Sequence, residues 1–161
     1  YDLDKLVELG NKVVKNLKTM GMSLKPCTVF TTGKESFEIA DDEVEIGLGI
    51  HGEPGTHREK MTTANEFTEK LFEKVYTESN TQKGDKFAVL VNGLGETTLI
   101  ELFIINNHLQ DLLKGKEVEV AKTLVGNYMT SLDMGGFSIT LLKLDKEMEE
   151  LLNAEEDTIA F

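Results

Sequence analysis

The chain has a single cysteine, Cys27, so no internal disulfide can form, and a reducing compartment, the cytoplasm, is the expected setting. It has no tryptophan and only two prolines, Pro26 and Pro54. Positive charge is scarce: 17 Lys and Arg stand against 29 Asp and Glu, a formal net charge of −12. A nucleic-acid binder needs a basic face to neutralise phosphates, so the balance argues against that class and equally against an anionic membrane surface. No apolar run approaches the roughly 20 residues that span a bilayer. The acidic, amphipathic N-terminus is not patterned as a secretory signal. The chain also opens on Tyr1 rather than Met, as a trimmed or partial sequence would.

What is present suits one globular domain spanning residues 1–161, long enough to bury a core. Leu3, Leu6, Val7, Val13, Val14, Leu17 and Met20 share one helical face, which predicts an amphipathic helix over 2–20 stopped by Gly21. CTVF (27–30), SFEIA (36–40) and VEIGLGI (44–50) read as strands, the last two as a hairpin or near neighbours across Asp41-Asp42. Thr63 and Glu66 form a capping box for a helix to about Ser79, with Phe67, Leu71 and Val75 inward. KFAVLVN (86–92) is continuously apolar, as in a strand covered on both faces. A second box, Thr98 and Glu101, opens a helix to about 114 that buries Leu102, Ile105, Leu109 and Leu112, with Gly115 as its stop. EVEVAKTLV (117–125) and GFSITLLKL (136–144) are further strands. Asp145 caps a short acidic helix, and the tail NAEEDTIAF is expected to fray. Helices alternate with strands and no repeat is present, so the class is α/β or α+β with a mixed sheet.

Several stretches are candidates for chemistry. NGLGE (92–96) joins a strand to a helix start, where α/β folds hold phosphates. Its spacing is not GxGxxG, no Walker lysine follows, and Glu96 would repel an anion, so a tight connection is the reading. TSLDMGG (130–136) suits a turn between strands, with a functional loop left open. Cys27 reads as an inert core thiol, His108 as a helix side chain without special work, and Met20, Met22, Met129 and Met134 as core. GLGIHGEPGTH (47–57) is different, because Gly47, Gly49, Gly52 and Gly55 surround an imidazole, His51. His51, Glu53 and His57 suit a metal chemically, though Pro54-Gly55 forbids a helical two-histidine motif and no further ligand is evident. A Gly-Pro turn with an incidental histidine is the plain alternative. Clustered glycines also let a ligand approach backbone closely, and a neutral imidazole held by an acceptor is a nucleophile toward carbonyls.

GLGIHGEPG (47–55), LVNGLGETTLIEL (90–102) and YMTSLDMGGFSITLLKLD (128–145) resemble, in order and without gaps, the C-terminal half of the K subunit of dihydroxyacetone kinase. The resemblance implies an α/β two-layer mixed sheet of about six strands with helices packed on it. It implies that the histidine of GIHGEPG, here His51, holds dihydroxyacetone covalently as a hemiaminal, with Gly52 beside it among the substrate-binding residues. A reversible bond to the carbonyl selects ketones over plain polyols such as glycerol. No cofactor or metal is expected in this chain. ATP or ADP with magnesium is expected on a separate L subunit, which a phosphotransferase-system protein recharges in the bacterial version. K subunits pair as homodimers in the family. The family's N-terminal half supplies further substrate-binding and acid–base groups, and it is not part of this sequence, so this chain alone is expected to be inactive. Two other readings stand beside this one: a K-like triose-binding co-regulator of transcription, and a metal-dependent hydrolase using His51, Glu53 and His57.

Overall fold

The computed structural model describes residues 1–51, 53–155 and 158. Four helices and eight strands follow in the order α1 (Leu3–Asn16), β1 (Leu17–Lys25), β2 (Thr28–Val29), β3 (Lys34–Glu35), β4 (Glu43–Ile46), β5 (His57–Lys60), α2 (Ala64–Glu78), β6 (Lys86–Gly93), α3 (Leu99–Gly115), β7 (Glu119–Gly126), β8 (Gly135–Leu144) and α4 (Lys146–Leu152). Six strands form one mixed sheet, ordered β5-β4-β1-β8-β6-β7, and β2-β3 is a separate small ladder. Among the described strands only β6 and β7 run parallel, joined through α3 as a parallel pair requires. The expected mixed six-stranded α/β sheet is therefore what the chain forms.

One face of the sheet is covered by α2 and α3. Phe67, Leu71, Phe72 and Val75 of α2 and Leu102, Ile105, Leu109 and Leu113 of α3 meet Phe87, Val89 and Val91 of β6 and Ile139 and Leu141 of β8. The α2 capping box is complete, with Glu66 N–H on Thr63 Oγ1 at 3.2 Å and Thr63 N–H on Glu66 Oε2 at 3.1 Å. Strand alternation sends Lys86 and Ala88 to the other face. There Lys86 Nζ lies 2.9 Å from Glu149 of α4, which Asp145 caps by accepting from Met148 N–H. On that second face Thr19 is exposed and Gly21, Ser138 and Thr140 are half-buried, while Ser23, Glu45 and Asn92 are buried.

Several expectations need correction. The predicted helix over 2–20 ends at Asn16, and Leu17 to Lys25 continue as a strand. Thr19 and Gly21 are poor helix formers, and β8 offers this segment an antiparallel partner over eight paired positions. The helical face it was to bury is not buried: Leu3 and Val14 are each 75% exposed. SFEIA is not a strand; β4 pairs instead with β1 and with His57–Lys60, a charged edge strand that no hydrophobic pattern announces. Met22 and Met134 are fully buried as expected, but Met129 is 60% exposed, and Leu113 rather than Leu112 fills the α3 core position. The tail expected to fray runs into residues 156, 157 and 159–161, which lie outside the described residues.

Candidate functional site

The chain leaves β4 at Ile46 and returns in β5 at His57, directly opposite. The intervening loop folds over the sheet face opposite α2 and α3, where it covers Glu45. Gly47 turns it there with φ +80°, a conformation costly for any residue with a side chain, and its N–H donates to Gly21 O at 2.7 Å. Leu48 then inserts into a second apolar cluster with Cys27, Leu94 and Met134. Cys27 is thus the buried core thiol expected, placed just before β2. The loop closes through Gly49 N–H on Glu53 O at 3.2 Å and Thr56 N–H on Ile46 O at 2.7 Å.

His51 stands in this loop with its side chain 80% exposed. Glu53 grips it twice: Glu53 Oε2 accepts from the His51 backbone N–H at 2.9 Å, and Oε1 lies 3.3 Å from His51 Nδ1. Backbone N–H donors, that of Glu53 itself first and then that of His51, hold the Glu53 carboxyl below its usual range, with the His51 charge adding to this. A carboxylate facing Nδ1 favours the tautomer with its proton there and its lone pair on Nε2. Gly52, the other expected substrate-binding position, lies outside the described residues.

Beside the loop runs a groove of about 700 Å³, a volume ordinary for small-molecule sites. Thr19, Gly21, Ser138 and Thr140 line its sheet side, Gly49 and Ile50 come from the loop, and Tyr128 and Met129 from a second loop. The two threonine hydroxyls are 2.8 Å apart.

That second loop contains TSLDMGG, and it interlocks with NGLGE. Asn92, 3% exposed, accepts from Tyr128 and Met129 N–H at 2.9 and 2.8 Å and donates to Met129 O at 2.8 Å. Ser131 N–H donates to Leu94 O and Glu96 N–H to Met134 O. Thr97 Oγ1 donates to Gly136 O and accepts from Gly136 N–H. Asp133 accepts from Thr28 N–H at 2.6 Å, the main cause of its lowered pKa. NGLGE is therefore the strand-to-helix connection expected, with Glu96 paired to Lys25 rather than facing an anion. TSLDMGG is a connection docked on residues 94–97, and it is Tyr128 and Met129, just before it, that line the groove.

The metal reading loses its geometry. His57 Nδ1 bonds Thr56 Oγ1 at 2.9 Å, and among the described residues no three His, Cys, Asp or Glu side chains are placed to hold one ion. His108 bonds Glu69 at 2.8 Å and ties α3 to α2, a structural task. Sequence reasoning passed over Asn92 and Glu45. Each had a signal: a polar residue closing the apolar run KFAVLVN, and an acid between Val44 and Ile46.

The fold is a mixed-sheet α/β domain with an exposed imidazole, paired to a carboxylate, in a loop that lines a groove. The chain matches the Dak1 domain over residues 1–160 and belongs to that family. It is 48% identical over 160 residues to the dihydroxyacetone-binding subunit DhaK of PTS-dependent dihydroxyacetone kinase 1 from Listeria innocua, covering 99% of this chain and 49% of that protein. Among solved structures it resembles the dihydroxyacetone kinase operon co-activator Dha-DhaQ, with a TM-score of 0.89 and 36% identity over 96% of this chain and 48% of that one. The dihydroxyacetone kinase of C. freundii in its native form superposes with a TM-score of 0.78 at 25% identity, over 96% of this chain and 28% of that one. The chain spans about half the length of the curated relatives it matches first.

Proposed function

We propose that residues 1–161 form one domain, the C-terminal half of a K-type subunit, and that it holds dihydroxyacetone on His51 for phosphoryl transfer. The observation that carries this is the exposed His51–Glu53 pair, 3.3 Å apart, in a loop whose Gly49 and Ile50 line the groove. The Nε2 lone pair adds to the ketone carbon, and the C=O π electrons move to oxygen. The Nδ1 proton passes to Glu53, which returns it to solvent, and the new alkoxide takes one proton from solvent. The product is a neutral hemiaminal, formed without net gain or loss of protons. Its two hydroxymethyl groups are then held in place, which converts an encounter into an oriented reactant. Glycerol has no carbonyl and cannot form the bond.

The phosphoryl group comes from a separate L subunit carrying ATP or ADP with magnesium, and the product is dihydroxyacetone phosphate. The name of the Listeria relative, a PTS-dependent kinase subunit, supports that route. The other half of a family-length subunit supplies the remaining polar and acid–base groups, so the present chain mixed with an L subunit is inactive. In a full-length subunit, His51→Ala abolishes the preference for dihydroxyacetone over glycerol. Retained selectivity, measured by competition binding, would discard the anchor role.

The second reading, a triose-binding co-activator, draws on the likeness to Dha-DhaQ at 36% identity. The 48% identity to a kinase subunit favours the first. Turnover of the full-length subunit with an L subunit separates the two.

A further inference from the structure

Glu45 is the only buried carboxylate among the described residues, 7% exposed between the core residues Val44 and Ile46. A buried carboxylate is costly unless hydrogen-bonded or paired. Strand alternation turns Glu45 away from the α2–α3 core and toward the face over which the His51 loop folds. There its Oε1 accepts from Gly55 N–H at 2.6 Å, and its Oε2 lies 3.4 Å from Arg58 Nε in β5. The approach is close: a side chain at position 55 would put its Cβ 2.5 Å from Ile46 O and 2.6 Å from Glu45 Cγ. One side chain thus joins the strand entering the loop, the end of the loop and the strand leaving it.

The loop's other end is pinned by Leu48 in its apolar cluster. Between these anchors His51 and Glu53 are 80% and 58% exposed, and among the described residues the polar contacts that shape them are with each other and with Gly49. Their mutual geometry therefore depends on how firmly both loop ends are held.

We infer that Glu45 is a positioning residue: its carboxylate, by holding Gly55, keeps Glu53 against His51 Nδ1 and so sets which ring nitrogen is free to bond a ketone. This rests on the reading of His51 given above. Glu45→Ala should accelerate Gly55 amide exchange at least tenfold and move the His51 tautomer ratio, read from imidazole ¹⁵N shifts, toward that of an unconstrained imidazole. Ketone capture by the full-length subunit should fall about tenfold. Glu45→Gln keeps an acceptor for Gly55 N–H, and Arg58→Ala keeps the carboxylate. Both should stay within about twofold of the wild type in exchange and tautomer. If Glu45→Ala leaves the tautomer unchanged while Gly55 exchange rises, Glu45 is structural only and the inference fails. It fails too if Glu45→Gln is as damaging as Glu45→Ala. Tautomer and exchange are read without ligand, so a wild-type subunit that captures no ketone overturns the proposed function and leaves the anchoring role standing.

Discussion

At the scale of single residues, the site is a contest for space around Glu53. Its carboxylate reaches His51 only because position 49 has no side chain. A Cβ on Gly49 would lie 2.4 Å from Glu53 Oε2 and 3.0 Å from Glu53 Cβ. The obstructing atoms belong to an exposed, flexible side chain, so the chain can relieve the clash by letting Glu53 swing away. Gly49→Ala should therefore cost roughly 10–100-fold in ketone capture, the usual penalty for a misplaced reacting group, with the thermal midpoint nearly unchanged. A large loss of stability, seen by calorimetry, would instead mean that the backbone and not the carboxylate gives way. Glu53 also carries a pH signature. Its carboxyl is held below its ordinary value of 4.5, so its grip on His51 is fully present above that pH and is lost only as pH falls through the lower folded value.

At the scale of elements, two loops form the groove walls, and each is held by one buried polar side chain. Asn92 does for the 127–130 segment what Glu45 does for the His51 loop. Removing its amide leaves the Tyr128 and Met129 N–H groups without their acceptor. Asn92→Ala should destabilise the fold by about 2–3 kcal/mol, the cost of orphaned backbone donors in a partly buried site. Amide exchange should rise first at residues 128 and 129. Asn92→Asp keeps the acceptor for both N–H groups and should recover most of the loss. Equal damage from both variants would show that the donor bond to Met129 O dominates.

At the scale of the molecule, α1 is attached differently from α2 and α3. It has no buried residue. What joins it to the body includes charge: Lys12 pairs with Asp145 and Glu147, and Lys5 with Glu147 at 3.0 Å. Lys12 lowers the Asp145 and Glu147 carboxyls, and they in turn raise the Lys12 ammonium. The sign follows from linkage. The depressed carboxylates stabilise docking above their unfolded values of 3.8 and 4.5, and this is lost as pH falls through the folded values. The raised ammonium contributes below 10.5 and is lost only well into the alkaline range. Docking of α1 should thus be flat through neutrality, weaken toward acid, and weaken with salt because the pairs are exposed. Amide exchange of α1 measured against pH and ionic strength checks this. Exchange in α1 that ignores both would show that its apolar contacts carry the attachment.

The sequence by itself determined most of the elements and pointed to the loop that carries His51. Both capping boxes, the apolar run of β6, the inward faces of α2 and α3 and the glycine-flanked His51 are local patterns, and local patterns persist in the fold because short-range sterics and hydrogen bonding produce them. The tertiary structure alone decided what depends on partners distant along the chain. Leu17–Lys25 became a strand because β8 pairs with it, against its helical apolar spacing. HREK became an edge strand because β4 was there to receive it. Glu45 and Asn92 became anchors only when two loops closed over them, since a buried polar side chain acquires its task from whichever backbone groups folding brings within reach.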